Sequence, residues 1–144
     1  MWISTTTQPI ASPPVAASRG IRYSLVIPCY RSGLWLGELV ARIAAVLVPR
    51  GQPFEVLLVN DASPDDTWET IERLAKAQDF VVGIDLLFRT GQFRATLCGF
   101  QHARGELIIT LDDDLQHPPE EIPTLIEALE SQPAWNCVAA EYAA

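Results

Sequence analysis

From residue 21 onward, apolar positions fall into short runs separated by stretches with helical spacing. The run YSLVIP at 23–28 is compact and strand-like, and Pro28 is expected to end its ladder because proline has no amide hydrogen to donate. Residues 34–47, LWLGELVARIAAVL, place apolar side chains three and four apart, as an amphipathic helix does. FEVLLVN at 54–60 is almost continuously apolar, which predicts a strand buried on both faces of a parallel sheet. Residues 63–78 open with Ser63 as a candidate N-cap, Pro64 at the first helical position and acids in the first turn. A third strand is predicted at 80–88, a helix between two glycines at 91–105, a fourth strand at 106–112 and a fourth helix at 119–131. AWNCVAA at 134–140 predicts the start of a fifth strand. This alternation predicts an α/β fold, an open and mainly parallel doubly wound sheet of Rossmann-like type.

Such sheets bind ligands at the carboxyl ends of their strands, where strand order reverses. Those ends carry PCY after the first strand, NDASPDD after the second, RTGQ after the third and DDDLQ after the fourth. The polar residues suited to chemistry therefore gather on one rim. In an extended segment side chains alternate, so Asp112 and Asp114 share a direction and Asp113 points elsewhere and matters less. Two carboxylates aimed at one place suit Mg²⁺ or Mn²⁺, with Gln116 able to add a neutral oxygen. An exposed acidic turn that caps the next helix is the competing reading. Asp61 is a candidate ligand for a nucleobase edge or a ribose hydroxyl, whereas Ser63, Asp65 and Asp66 read as helix capping. Tyr30 can either stack on a base or pack over the sheet edge. Gly91 permits close backbone approach to a ligand, and Arg89 and Arg94 are either phosphate contacts or solvated surface. His102 and His117 show no metal-ligand spacing, and a supporting or turn role is expected for His117.

Composition narrows the partners. The 144 residues suffice for one domain, and 49% hydrophobic against 19% charged residues favours a globular body over disorder. The formal net charge of −8 argues against nucleic acid as a partner. An acidic chain can still take a phosphorylated ligand where a metal ion supplies positive charge. Cys29, Cys98 and Cys137 are widely spaced within apolar stretches and read as buried, reduced thiols. Residues 1–20 read as a flexible leader without the character of a secretory signal, and no apolar run is long enough to span a bilayer.

The stretches SLVIPCY, VLLVNDASPDDTWETI and GELIITLDDDLQHPPEEIPTLIEAL together resemble inverting GT-A glycosyltransferases of the polyprenyl-phosphate type, such as the dolichol-phosphate mannosyltransferases and the undecaprenyl-phosphate sugar transferases. The likeness runs from about Tyr23 to Leu129. It implies transfer of a sugar from a UDP- or GDP-linked donor to a lipid phosphate, at the cytoplasmic face of a membrane. By the same likeness Asp112, Asp114 and Gln116 hold the metal that bridges the donor diphosphate. Pro28, Tyr30 and Asp61 line the nucleotide pocket, with Gly91 and the acidic run (Asp112, Asp113, Asp114) beside them and Asp61 reading the base. A phosphate acceptor is already ionised, so no protein general base is implied.

Three departures stand out. The family usually has Asn-Glu after the tyrosine, where this chain has YRSG, and Arg-Asn-aromatic-Gly before the third helix, where it has FRTG. Near the end Glu141 occupies the place of an arginine that helps bind the acceptor phosphate. Residues 21–144 are accordingly expected to form a truncated nucleotide-sugar-binding domain, incomplete at the C-terminus. An uncovered sheet edge would then favour self-association. The alternative to a complete transferase is a donor- and metal-binding fragment without catalysis. A receiver-type signalling domain is disfavoured, because it needs an acidic pair after the first strand.

Overall fold

The computed structural model describes residues 20–132 and 134–140. The predicted leader and Glu141 lie outside the described residues, apart from Gly20. Strands β1 (Tyr23–Cys29), β2 (Phe54–Asn60), β3 (Val81–Asp85) and β4 (Leu107–Thr110) alternate with helices α1 (Leu36–Leu47), α2 (Thr67–Ala77), α3 (Gln92–His102) and α4 (Ile122–Glu130). The four strands form one parallel sheet in the order β3-β2-β1-β4. The predicted doubly wound α/β architecture is therefore what the chain adopts.

Connection handedness explains the layering. The chain steps outward from β1 to β2 to β3, then crosses back to place β4 on the far side of β1. Right-handed crossovers require helices of opposite stepping direction to lie on opposite faces. Accordingly α1, α2 and α4 contribute Leu39, Ile43, Ile71 and Ile126 to a core with Leu25, Ile27, Val56 and Leu58. Among the described residues helix α3 alone covers the other face, where Ala95 packs with Val26, Leu57, Val59 and Ile84. Gly99 allows this close docking, because a Cβ there would collide with the Val26 side chain. The direction of stepping reverses between β1 and β4, so a crevice is expected between their carboxyl ends.

The strand ends differ instructively from the sequence expectation. β1 continues to Cys29 on its β2 side, with Pro28 in register with Val59. On its β4 side the last rung runs from the Leu111 N–H to the Val26 carbonyl. The next rung would need an N–H at Pro28, which proline lacks. The ladder ends there, β4 stops at Thr110, and the acidic run leaves the sheet instead of extending it. β3 likewise ends at Asp85, opposite Asn60, rather than reaching Phe88. Helix α2 starts at Thr67, later than predicted, with Asp66 at the N-cap position. Ser63 is not that cap; its Oγ accepts the Arg31 N–H at 3.1 Å. Residues 134–140 form no strand among those described.

The cysteines are all free, but only Cys29 is buried; Cys98 is half-buried and Cys137 exposed. A buried carboxylate ties the opposite end of the sheet together. Glu55, 2% exposed, accepts hydrogen bonds from Ser24 Oγ (2.6 Å), the Arg104 N–H (2.8 Å), Arg104 Nε (2.9 Å) and Arg104 Nη2 (2.7 Å). The Gly105 N–H donates to Ser24 Oγ at 2.7 Å. The start of β1, the start of β2 and the end of α3 are thus fastened at one point.

Candidate functional site

A cleft of about 260 Å³ opens at the carboxyl end of the sheet, lined by Pro28, Cys29, Tyr30, Asp61, Arg89, Gly91, Gln92 and Asp113. It draws on the loops after all four strands. A larger recess of about 660 Å³ lies at the opposite rim, lined by Arg22, Tyr23, Arg50, Gln52, Glu106 and Glu130. Its cations are already engaged: Arg22 pairs with Glu106 and Glu130, and Arg50 with Glu127. The smaller cleft is the better candidate, because it sits where strand direction reverses and carries a base-sized aromatic ring beside fixed carboxylates.

Backbone conformation marks the same rim. Arg31, Ala62 and Leu115 adopt positive φ of 57°, 51° and 60°, and Gly91 sits at 90°. One such residue lies in each of the four rim loops. Each non-glycine residue there costs roughly 1–2 kcal/mol, so the surrounding contacts must hold it in place. A Cβ at Gly91 would meet no protein atom within 4 Å, so within the protein it is the positive φ that favours glycine.

Those holding contacts come chiefly from carboxylates. Asp61, 3% exposed, accepts the Thr90 N–H (2.6 Å) and Thr90 Oγ1 (2.9 Å) on Oδ1, and the Gly91 N–H (2.8 Å) on Oδ2. Its first structural task is to shape the loop that leads into α3. Oδ2, with one donor, keeps capacity for another. Asn60 Nδ2 donates to Asp85 Oδ1 at 2.7 Å, and Asn60 Oδ1 accepts the Ser63 N–H at 3.2 Å. Thr67 Oγ1 receives the N–H groups of Ser32 (2.9 Å) and Gly33 (3.1 Å), which secures the loop after β1.

The acidic run does not follow strand alternation. Because β4 has ended and Leu115 turns left-handed, the three aspartates diverge. Asp113 faces the cleft, and its Oδ2 accepts the Tyr30 N–H at 3.0 Å. The expectation that Asp113 points away is therefore corrected. Asp112 Oδ1 accepts Gln92 Nε2 at 2.6 Å, and its Oδ2 lies 3.6 Å from His117 Nε2. Asp114 is exposed, with Oδ1 accepting the Gln116 N–H at 3.0 Å. Asp112, Asp114 and Gln116 are not among the residues that line the cleft, and only Asp112 bonds to one that does, Gln92.

Asp112 Oδ1 and Asp114 Oδ1 each accept one hydrogen bond that holds the loop, and Asp112 Oδ2 faces His117 Nε2 at 3.6 Å. Such hard oxygen donors suit Mg²⁺ or Mn²⁺ shared with substrate phosphates. Among the described residues no group of three or more His, Cys, Asp or Glu side chains could hold an ion alone. These residues form no all-protein cage, so a cation held by Asp112 and Asp114 would need a ligand to complete its shell.

Tyr30 is half-buried at the cleft, with the Arg89 guanidinium 4.0 Å from its ring centroid and that of Arg31 at 5.5 Å. Tyr30 is one of the residues that line the cleft. Arg89 joins the lining, whereas Arg94 is exposed on α3 and does not. On the cleft wall, burial first and the Asp113 charge second push the Cys29 thiol well above its ordinary range, so it stays neutral. Thr90 and Gln92 were not singled out from sequence. Their only advance signal is adjacency to Gly91 in the loop after β3.

The model of the family described as "Glycosyl transferase family 2" matches residues 24–143. The undecaprenyl-phosphate 4-deoxy-4-formamido-L-arabinose transferase of Shewanella sediminis (strain HAW-EB3) is 46% identical over 108 residues, covering 74% of this chain and 33% of the relative. The protein of the same name from Klebsiella pneumoniae (strain 342) is 43% identical over 107 residues, with shares of 74% and 33%. The chain therefore spans about a third of the length of these relatives. Among solved structures, mannosyltransferase PcManGT from Pyrobaculum calidifontis, in complex with GDP-Man and Mn²⁺, superposes with a TM-score of 0.67 at 25% identity, covering 78% of this chain and 33% of that one. S. aureus TarS 1–349 in complex with UDP-GlcNAc gives 0.61 at 23% identity, with shares of 76% and 31%, and supports the fold alone.

Proposed function

The chain belongs to glycosyl transferase family 2, and on that premise we propose that it forms the donor-binding part of an inverting transferase that moves a sugar from a UDP- or GDP-linked donor to a polyprenyl phosphate. The observation that carries the reading is the cleft at the switch point, where Tyr30, Asp61 and Asp113 converge. A base slides against the Tyr30 ring, displacing or sharing the face that Arg89 covers. Asp61 Oδ2 accepts a hydrogen bond from the base edge while Oδ1 keeps the Thr90 loop in place. Gly91 gives the backbone its turn into α3, and Arg89 reaches toward the phosphates.

Asp112 and Asp114, with Gln116, would hold Mg²⁺ or Mn²⁺ beside the donor diphosphate. When bound, that ion supplies Lewis-acid stabilisation of the departing nucleoside diphosphate. Asp113 keeps the acidic loop against the Tyr30 backbone, which sets the relation of base to diphosphate. The acceptor phosphate attacks the anomeric carbon from the opposite side, the C–O bond to the diphosphate breaks, and no side chain needs to remove a proton.

Among the described residues no helix is long and apolar enough to cross a membrane. A lipid acceptor nevertheless places the reaction at a membrane surface, and a nucleotide-sugar donor favours its cytoplasmic face. The test is transfer from UDP- and GDP-sugars to a short-chain polyprenyl phosphate, followed by mass spectrometry of the lipid product. A glycosylated lipid phosphate supports the full reading. Metal-dependent nucleotide binding without product supports the second reading, a donor- and metal-binding part without catalysis.

A further inference from the structure

The rim loops form one connected path rather than four separate contacts. Asp61 fixes Thr90 by its N–H and hydroxyl and Gly91 by its N–H. The next residue, Gln92, opens α3 and lines the cleft. Its Nε2 donates to Asp112 Oδ1 at 2.6 Å. A route of short hydrogen bonds therefore runs from the buried carboxylate beside the cleft to the first aspartate of the acidic run. Gly91, held at φ 90° with its N–H engaged by Asp61, leaves Gln92 little freedom to drift.

We propose that Gln92 is a positioning residue that orients Asp112 for a divalent cation and couples that carboxylate to the nucleotide cleft through Thr90 and Gly91. This rests on the reading of Asp112 as a metal ligand. The chemistry of the residue suits the task. A neutral amide restrains one carboxylate oxygen without cancelling the charge that attracts the cation. Lysine or arginine in the same place would bring a competing positive charge. With Oδ1 held by Gln92, Oδ2 is left toward His117, 3.6 Å from its Nε2. Partners of ligating carboxylates act in this way elsewhere, and their loss typically lowers metal affinity by about 10–100-fold.

The experiment measures Mn²⁺ binding to the 144-residue chain by electron paramagnetic resonance of free Mn²⁺, without nucleotide and then with UDP or GDP. The variants are Gln92→Leu, Gln92→Lys, Thr90→Val, the double variant Thr90→Val/Gln92→Leu, and Asp112→Asn as reference. Gln92 is exposed, so the Gln92 variants should keep the wild-type urea midpoint. Gln92→Leu is expected to weaken Mn²⁺ binding roughly 10-fold and Gln92→Lys further. Thr90→Val should weaken it less, and the double variant should be no worse than Gln92→Leu alone, because both changes act along one path. If Asp112→Asn loses Mn²⁺ while Gln92→Leu binds like wild type, the positioning role is overturned and the metal reading stands. Independent, additive losses from Thr90 and Gln92 would overturn the coupling. Unchanged Mn²⁺ affinity in Asp112→Asn would overturn the metal reading, and the proposal with it.

Discussion

Arg104→Ala isolates the clamp that holds α3 at its far end. Glu55 accepts four hydrogen bonds in a site that is 2% exposed, and two come from the Arg104 side chain. Removing that side chain leaves the carboxylate buried with only Ser24 Oγ and the residue-104 N–H as partners. Breaking a fully buried pair costs about 3–5 kcal/mol. The Arg104 side chain is 67% exposed, so water replaces part of what is lost, and about 2 kcal/mol is expected. Glu55→Gln should cost more, about 3 kcal/mol, because its amide NH₂ would confront guanidinium donors in a dry site. For a domain of this size about 2 kcal/mol corresponds to a melting shift of roughly 6–8 °C. The assay is urea unfolding followed by tryptophan fluorescence for both single variants and for Glu55→Met/Arg104→Met. The double variant should recover part of the loss, since an apolar pair leaves no buried charge. Single variants within about 0.5 kcal/mol of wild type, or a cycle with no coupling, would refute the clamp.

Other expectations follow from the same geometry. Gly99→Ala drives a methyl group into Val26 and should destabilise by about 1–3 kcal/mol, less the roughly 1 kcal/mol that alanine gains in a helix; a more stable variant would contradict the docking of α3. Arg42, hydrogen-bonded to Glu120 at 2.7 and 2.9 Å, holds that carboxyl at about 2, below its ordinary 4.5. A depressed carboxylate stabilises above its unfolded value and loses that contribution as pH falls toward about 2. Arg42→Gln should therefore flatten this part of the stability curve, and acid titrations of the two proteins that run parallel would exclude it. Ile108, 45% exposed on the edge strand β4, is the natural seed of the proposed self-association. Ile108→Lys should lower any concentration-dependent mass seen by analytical ultracentrifugation, and an unchanged profile would remove the edge from consideration.

Much of this architecture is legible in the residues themselves. Continuous apolar runs such as FEVLLVN have one stable place, the interior of a parallel sheet, and the strand–helix alternation follows from it. The gathering of Tyr30, Asp61, Gly91 and the acidic run on one rim follows from that alternation in turn. What periodicity could not show is where a ladder fails. Pro28 reads as the end of its own strand, yet its effect falls on β4, whose next rung lacks a donor. That single missing N–H releases the acidic run and turns Asp113 toward Tyr30, so alternation is the wrong rule for residues 112–114. The parts played by Thr90, Gln92 and the Glu55–Arg104 clamp are equally invisible along the chain. They depend on contacts between residues 20 to 49 positions apart, which no local pattern encodes.

The central claim is that the switch-point cleft binds a nucleoside diphosphate through a cation held by the acidic run. Isothermal titration of UDP and of GDP into the chain, with and without Mn²⁺, tests it most directly. The account predicts saturable binding of at least one nucleotide that requires Mn²⁺ and disappears in Asp112→Asn and in Asp114→Asn. Binding that ignores Mn²⁺, or survives both substitutions, would contradict it.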